Sequence, residues 1–379
     1  MTGTPHASSQ QGRGVGPLPV SLAPIAVGGV TWMALQFGWL SAQPESGAGQ
    51  LALFGWLLLS TLWCAFRAMS EADVLAHRQG EPMGTVTLTI AAITIEVALV
   101  MAMFVSSKEH GPTLPRDAMF GVLMVTLNGL PGIALLVAGW RRKEQMFNVR
   151  ASGAYLSLII AFCTIGLALP RATNSAPGGF MSPLMQLFVG FAALVVYLAF
   201  LRVQTTSQRE FFVGEVEHSG VALASHGDAG RRSWQVVTLM VLALATVIAL
   251  AESVGRLTEG LVRARGLPPE AAGALVALLV LAPEGMAAIS AAGRDNVQRT
   301  VNILLGSALS SLGLTIPAVL IAGLYLDIPV ELGLDAPEGV LLGATLLLCV
   351  VNFGSGRVNI MQGLVHLLFF GTYLLLIFD

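Results

Sequence analysis

The sequence predicts an all-α polytopic membrane protein with 11 transmembrane helices, arranged as one leading helix and two inverted five-helix repeats. The first observation is composition: of 379 residues, 55% are hydrophobic and 11% are charged, and the mean hydropathy is +0.75. A soluble domain carries about 25% charged residues, so this chain has too few charges to cover a globular protein of its length. The other two observations are its long apolar segments and the similarity between its two halves.

The apolar segments set the number of helices. A membrane-spanning helix needs about 20 mostly apolar residues. Eleven segments meet this requirement, at about 19–41, 51–69, 84–105, 117–139, 152–169, 183–201, 234–253, 270–293, 300–324, 337–353 and 358–378. The predicted organisation is a disordered tail at 1–18, a leading helix at 19–41, a first repeat at 51–201, a polar connector at 202–233 and a second repeat at 234–379.

The basic residues predict the orientation of the chain. Lys and Arg accumulate in loops on the cytoplasmic side of a membrane. With a cytoplasmic N-terminus, the cytoplasmic segments hold 14 of the 20 Lys and Arg residues, including Arg141, Arg142 and Lys143 between predicted helices 4 and 5. We therefore expect the connector to be cytoplasmic and the C-terminus to lie outside. The net charge of −2 and the absence of a basic stripe exclude a nucleic-acid partner and leave the lipid bilayer as the expected surroundings.

Corresponding motifs recur at a near-constant spacing along the chain. The segments Gly80-Glu81-Pro82 and Gly266-Leu267-Pro268 are offset by 186 residues, and the mid-helix glutamates Glu96 and Glu284 are offset by 188. Five helices are an odd number, so the second copy must enter the membrane in the opposite direction. Inverted repeats of this kind are typical of secondary transporters, which bind their substrate near the bilayer midplane between the repeats.

Two carboxylates stand at equivalent, central positions of these repeats. Glu96 lies about twelve residues into predicted helix 3, and Glu284 about fourteen residues into predicted helix 8. A charge at membrane depth is costly, so such residues mark ion pathways and binding sites. A pair of carboxylates is also the natural ligand set for a hard cation. We predict that Glu96 and Glu284 form a cation- and proton-binding site, with both as metal ligands.

Neighbouring residues are predicted to support this site. Pro283 lacks an N–H group, so the carbonyl of Leu279 loses its helical partner and becomes available to a cation in a broken helix. Gly285 loosens the same turn, and Thr94 adds a hydroxyl in the first repeat. Simpler interpretations are an ordinary proline kink and a threonine bonded to its own helix.

Predicted helices 4 and 9 carry the other polar groups at membrane depth. Asn128 lies on helix 4, and Asn302, Ser307, Ser310, Ser311 and Thr315 lie on helix 9. Neutral oxygens of this kind complete a cation's ligand shell, which two carboxylates cannot fill alone, and we predict that Asn302 and Ser310 support the site. The alternative for each hydroxyl is a bond to its own helix or a tight helix contact.

Three further features are weaker candidates. His366, near the middle of predicted helix 11, is either a proton relay or a hydrogen-bonded structural residue. Glu252, near the outer end of predicted helix 7, is a candidate for guiding cations. The connector contains Glu210, Glu215 and His218, which suggest either a regulatory cation site or a solvated linker.

At these residues the chain resembles the bacterial ChaA-type calcium/proton antiporters, from the CAX branch of the calcium/cation antiporter superfamily. The matching segments are Gly80–Gly84, Thr94–Leu99, Arg116–Phe120, Asn128-Gly129, Arg142–Gln145, Glu252–Val254, Ala282–Gly285, Asn296–Arg299, Gly306–Leu309, Leu314–Pro317 and Gln362–Leu367. Together they cover about residues 50–379 in the family's order. The resemblance implies one leading helix, two inverted five-helix repeats and one site glutamate from each repeat, here Glu96 and Glu284. By spacing, it also implies that Asn128, Ser307 and Ser311 supply neutral oxygens to the site.

The resemblance implies a secondary antiporter of a bacterial inner membrane that exports Ca²⁺ in exchange for H⁺, with alternating access to a midplane site. The cations are cargo, and we expect no cofactor. The sequence also departs from the family: Ala92-Ile93 replace a Gly-Asn pair before Thr94, Ser311 stands where some relatives carry an acid, and Met124 where some carry a hydroxyl. These departures leave a Na⁺ or K⁺/H⁺ antiporter as the alternative. A membrane enzyme, for which the sequence shows no HExxH or GxSxG motif, and a passive channel are the other classes considered.

Overall fold

The computed structural model describes residues 18–41, 46–80, 83–106, 113–141, 144–173, 176–206, 231–268 and 270–378. Two predicted segments fall largely outside these ranges. Of the N-terminal tail only Leu18 is described, and it already begins a helix. Residues 207–230 of the connector, including Glu210, Glu215 and His218, lie outside the described residues, as do Arg142 and Lys143.

Eleven helical spans occupy the described residues, which confirms the predicted number. Eight are continuous helices: α1 (Leu18–Gln36), α2 (Gly47–Gln79), α3 (Met83–Ser106), α6 (Pro183–Thr205), α7 (Ser233–Ala264), α8 (Glu270–Gly293), α10 (Ala336–Gly354) and α11 (Ile360–Leu376). By length and composition, eight of the spans are apolar enough to cross a membrane, and shorter apolar helices at Leu22–Gln36, Val86–Ala102 and Ile360–Leu376 complete the set.

The other three spans each contain one wide, π-helical turn. They are α4 (Leu114–Met124, turn Val125–Gly129, Leu130–Arg141), α5 (Val149–Cys163, turn Thr164–Ala168, Leu169–Ala172) and α9 (Val297–Ser310, turn Ser311–Thr315, Ile316–Leu326). Each turn is followed at the second residue by a proline: Pro131, Pro170 or Pro317. A proline ring clashes with the carbonyl four residues earlier, and a wider turn relieves this clash. The turns of α4 and α9 are offset by 186 residues, the same offset as the Gly-x-Pro motifs.

Contacts at the two ends of the bundle establish the direction of each helix. At the end where α6 finishes and α7 begins, here called the connector end, Arg231 Nη1 donates to Glu71 Oε1 of α2 at 2.6 Å. Gln145–Met146 also pairs there with Arg357–Val358 in a two-residue antiparallel ladder. Helix α2 therefore ends where its counterpart α7 begins, so the two repeats are inverted.

The opposite end, here called the far end, joins loops that the sequence places on the other side of the membrane. Arg116 at the start of α4 reaches Glu331 and Asp335 in the loop between α9 and α10. Gly333 N donates to Gly179 O at 2.9 Å, which ties this loop to the loop between α5 and α6. The alternation predicted from the sequence is therefore correct for these helices.

Helices α3, α4, α8 and α9 form the core, and each packs against the other three. Helices α2 and α7 pack along each other beside this core, and α1 packs on both. Among the eight long spans, α4 and α9 are the most buried. The four core helices are those that carry the predicted site residues, so the fold brings both repeats together at the centre of the molecule.

Candidate cation-binding site

Glu96 of α3 and Glu284 of α8 line the same small cavity inside the helical core. The cavity is also lined by Met69 of α2, by Ala92 and Ile95 of α3, and by Val280 and Pro283 of α8. Glu96 is 5% exposed, and Glu284 is partly buried. The predicted pair of carboxylates is therefore brought together, one from each repeat.

Glu96 is held by two hydroxyl groups of α9. Ser311 Oγ donates to Glu96 Oε2 at 2.7 Å, and Thr315 Oγ1 donates to Glu96 Oε1 at 2.9 Å. These two residues are the first and last of the π-helical turn in α9. Such turns occur frequently at functional sites, and this one places a hydroxyl on each oxygen of the carboxylate.

Glu284 is held by a third hydroxyl on the same helix. Ser307 Oγ donates to Glu284 Oε2. Ser307, Ser311 and Thr315 follow one another at intervals of four residues and so lie along one face of α9. We call these three residues the hydroxyl stripe. It contacts both carboxylates, so α9 joins the two halves of the site.

The hydroxyl stripe is specific to the second repeat. With the 186-residue offset of the two π-helical turns, Ser307, Ser311 and Thr315 correspond to Gly121, Val125 and Gly129 of α4. None of these three side chains carries an oxygen. The two repeats therefore share a backbone architecture and a carboxylate, but only one of them supplies hydroxyls to the site.

Sequence comparison places the chain in a family. The family model for sodium/calcium exchanger proteins matches residues 49–206 and 235–378, which is most of the chain and leaves out the connector. The chain belongs to this family. It is 34% identical over 324 residues to the sodium-potassium/proton antiporter ChaA of Escherichia coli strain K12, a match that covers 85% of this chain and 87% of that protein.

Two solved structures share the fold of this chain. The structure of native YfkE matches with a TM-score of 0.72 at 17% identity, over 94% of this chain and 99% of that chain. The structure of the H⁺/Ca²⁺ exchanger CAX matches with a TM-score of 0.67 at 20% identity, over 94% of this chain and 87% of that chain. The exchanger fold therefore extends over almost the whole chain, including both carboxylate-bearing helices.

The three residues predicted to support Glu96 and Glu284 make different kinds of contact. Helix α8 continues through Pro283 without a break, and Pro283 lines the cavity. Gly285 packs where a Cβ atom would come within 2.6 Å of Leu130 Cδ2, so it lets α8 approach α4. Thr94 Oγ1 donates to the carbonyl of Ile90 at 2.7 Å, so this hydroxyl bonds within its own helix.

Asn128 lies in a separate buried network rather than on the carboxylates. Its Nδ2 donates to Thr345 Oγ1 at 2.9 Å, and its Oδ1 lies 3.2 Å from His366 Nδ1. On the other side of the ring, Asn352 Nδ2 lies 3.1 Å from His366 Nε2. A neutral imidazole protonated on Nδ1 satisfies this arrangement, because it then donates to Asn128 and accepts from Asn352. The network joins α4, α10 and α11.

The remaining predicted residues make contacts away from the glutamates. Glu252 is exposed and forms an ion pair with Arg256 at 3.3 Å. Ser310 Oγ donates to the carbonyl of Ser307 at 3.0 Å, and Asn302 Oδ1 accepts from Gln298 Nε2 at 3.0 Å. The structure therefore brings Ser307 and Ser311 to the carboxylates, whereas Asn128, Asn302, Ser310 and Glu252 have other partners.

Thr315 is the site residue that the sequence prediction did not select. The signal was present, since Ser307, Ser311 and Thr315 are spaced by four residues and share one helical face. Its position just before Ile316-Pro317 obscured this, because a threonine beside a proline also fits a role in shaping the backbone. The wide turn keeps Thr315 on the carboxylate side of the helix.

The His366 network leads to a prediction about stability. His366→Ala is expected to lower the free energy of unfolding by about 2–4 kcal/mol, because it leaves a cavity and removes a partner from two buried amides. The measurement is thermal or denaturant unfolding in detergent micelles. His77→Ala is the matched control, because its side chain is about half exposed at the end of α2. Equal unfolding midpoints for the two variants would contradict the prediction.

Proposed function

We propose that the chain is a secondary antiporter that exchanges a cytoplasmic cation, Ca²⁺ in the first instance, for H⁺ at the site formed by Glu96 and Glu284. The observation that carries this proposal is the pairing of two carboxylates on opposite repeats, deep in the helical core, with hydroxyl groups as their hydrogen-bond partners. Among the described residues no Lys, Arg or His forms an ion pair with either carboxylate. The positive charge that balances them is then supplied by the cargo.

The charge of the site explains how exchange is enforced. With both glutamates ionised, the site carries two negative charges, which one Ca²⁺ or two protons neutralise. An unpaired ion in a low-dielectric interior is prohibitively costly, so the empty, charged site resists rearrangement between the two sides. The loaded site rearranges, and cation movement in one direction is coupled to proton movement in the other.

The hydroxyl stripe suits this chemistry because a hydroxyl has one donor and two acceptor lone pairs. Ser311 and Thr315 donate to Glu96 and keep lone pairs for a cation, and Ser307 does the same beside Glu284. With the four carboxylate oxygens, these hydroxyls approach the six to eight oxygen ligands that Ca²⁺ takes in proteins. Protonation of the glutamates removes their negative charge, so H⁺ and cation compete for one set of oxygens.

A monovalent Na⁺ or K⁺/H⁺ antiporter is the second candidate function. The observation that favours it is the one-sided oxygen shell: Gly121, Val125 and Gly129 of α4 offer no counterpart to the hydroxyl stripe. The 34% identical relative from Escherichia coli is named as a sodium-potassium/proton antiporter.

The membrane placement follows from the same proposal. We infer an integral protein of a bacterial plasma membrane, a transporter rather than an enzyme, with the N-terminus and connector in the cytoplasm. The distribution of Lys and Arg supports this orientation. The connector end is then the cytoplasmic end, and the far end faces outward.

The test is ion flux in proteoliposomes that contain the purified full-length chain. Uptake of Ca²⁺, Na⁺, K⁺ and Mg²⁺ is measured under one fixed pH gradient and again with the gradient collapsed by a protonophore. The proposal expects Ca²⁺ flux that the pH gradient drives and that stops on its collapse. Flux of Na⁺ or K⁺ alone would select the second candidate. Cation flux that does not respond to the pH gradient would overturn both in favour of a passive channel.

A further inference from the structure

A second polar cavity lies at the far end, away from the glutamate pair. It is lined by three carboxylates from three different helices, Asp117 of α4, Glu270 of α8 and Glu338 of α10, together with Tyr373 of α11. Phe120, Leu376 and Ile377 complete its wall. Glu270 stands fourteen residues before Glu284 on α8, so the cavity is about 21 Å along the helix from the glutamate pair.

Asp117 is the group in this cavity that lacks a full set of partners. The residue is 2% exposed, and its Oδ1 accepts from Arg116 Nε at 2.8 Å. Its Oδ2 is buried and has no hydrogen-bond partner among the described residues. A buried oxygen of this kind loses about 1–3 kcal/mol of stabilisation, and a proton bound to the carboxyl is one way to recover it.

The surrounding charges favour binding of a cation from the far-side solution. Arg116 also lies 3.2 Å from Glu331, 3.1 Å from Asp335 and 3.9 Å from Glu338. Arg171 of α5 pairs with Glu331 and Asp335 as well. Asp117, Glu270, Glu331, Asp335 and Glu338 therefore outnumber the two guanidinium groups, so the cluster has a net negative charge.

The arrangement of these carboxylates favours a proton over a metal ion. Within the described part of the chain, no set of three Asp, Glu, His or Cys residues closes on a common point as a metal site requires. Glu338 already uses Oε2 to cap the start of α10, where it accepts from Asp335 N at 3.1 Å. Proton binding needs only a single carboxyl, and Asp117 at the wall of the cavity provides one.

We propose that this cavity is a proton-binding station at the far end, in which Asp117 takes up a proton from the far-side solution while cation exchange proceeds. Uptake places one proton on Asp117 and removes one negative charge from the cluster. Glu270 and Glu338, which are partly exposed, line the same cavity as Asp117, together with Tyr373. This inference rests on the proposed function, because it adds a second proton-binding group at the far end to the exchange that takes place at Glu96 and Glu284.

The first experiment detects the proton directly. Infrared difference spectra of the purified protein, recorded between high and low pH, are compared for wild type, Asp117→Asn and Glu252→Gln. The expected result is one component of the protonated-carboxyl absorption that is present in the wild type and in Glu252→Gln and missing from Asp117→Asn, whereas the components from Glu96 and Glu284 remain in all three proteins. Glu252→Gln is the matched control, because Glu252 is an exposed carboxylate outside both cavities. An identical band in all three proteins would overturn the proposal.

The second experiment separates proton handling from cation binding. In proteoliposomes, Asp117→Asn is expected to slow pH-driven Ca²⁺ flux by about tenfold and to leave isotopic Ca²⁺/Ca²⁺ exchange, which moves no net proton, at the wild-type rate. An equal loss of both activities would assign Asp117 a purely structural role. If wild type itself shows no pH-driven flux, the proposed function fails. The infrared experiment then still tests whether Asp117 binds a proton.

Glu270→Gln keeps the proposal testable if Asp117→Asn does not fold. Glu270 lies in the first turn of α8 and is partly exposed, so its neutralisation leaves the core packing in place. This variant is expected to weaken proton uptake at Asp117, because one negative charge facing it is removed. Unchanged pH dependence of the infrared band would contradict the proposal.

Discussion

Proteoliposomes that carry Glu96→Gln or Glu284→Gln are expected to exchange cations for protons at least about 100-fold more slowly than wild type. The attraction between two unit charges 4 Å apart is about 4 kcal/mol at an effective dielectric constant of about 20, and each 1.4 kcal/mol is a factor of ten in affinity. Each substitution removes one negative charge that attracts the cation. It also removes one carboxyl group that binds a proton. Glutamine keeps the size of the side chain and can still accept hydrogen bonds from the hydroxyl stripe.

The control variant for this prediction is Glu252→Gln. Glu252 is a carboxylate on α7 that pairs with Arg256 and makes no contact with the cavity. The control is expected to transport at the wild-type rate with an unchanged unfolding midpoint. Full pH-driven exchange by either site variant would refute the two-glutamate mechanism. A variant that unfolds is distinguished from an inactive one by the same unfolding measurement.

The number and direction of the helices were predictable from the sequence because a membrane imposes one dominant constraint. Backbone polar groups in lipid must be satisfied within a helix, so each apolar segment of sufficient length becomes a span. The predicted ends of α2 and α7 were wrong, since α2 continues to Gln79 and α7 to Ala264. The added turns carry charged residues such as Glu71 and Arg256, which a search for apolar segments excludes.

The carboxylate pair was predictable for a related reason. A glutamate in an apolar run is unusual, and the repeat relation brings two such residues to equivalent depths, which the structure shows as the shared cavity. Individual hydrogen bonds did not follow from this argument. Asn128 stood at a suitable depth on α4, yet its amide bonds to Thr345 and lies beside His366, because the direction of a side chain depends on helix rotation.

The π-helical turns illustrate what the sequence left open. Pro131 and Pro317 led to no prediction from the sequence, and each of them follows a wide turn in the structure. In α9 the wide turn carries both Ser311 and Thr315 to Glu96, whereas the equivalent turn in α4 carries Val125 and Gly129. The same backbone feature therefore carries hydroxyl groups to Glu96 in one repeat and permits close packing in the other, a difference that depends on side chains alone.

The Ser311→Ala/Thr315→Val double variant is expected to raise the Ca²⁺ concentration for half-maximal exchange by about 100-fold. Hydrogen bonds to a charged group contribute about 1.5–3 kcal/mol each, and this variant removes both from Glu96. Without them, the ionised carboxylate is less stable relative to its protonated form, and the cation also loses two hydroxyl oxygens. The loss of apparent affinity should therefore be greatest at low pH, where protons compete best. Ca²⁺ dependence of pH-driven flux, measured at several pH values, gives the result.

The control for this prediction removes the same atoms at exposed positions on α5 and α7. Ser157→Ala/Thr238→Val deletes two exposed hydroxyls that each donate to a carbonyl of their own helix, and it is expected to leave the Ca²⁺ dependence unchanged. Ser307→Ala should produce a smaller change than the site double variant, because it removes one donor, from Glu284. If the site double variant bound Ca²⁺ as the control does, the hydroxyl stripe would have a packing role only. A selective loss of Ca²⁺ transport with retained Na⁺ or K⁺ transport would instead identify the stripe as the feature that lets the site accept a divalent ion.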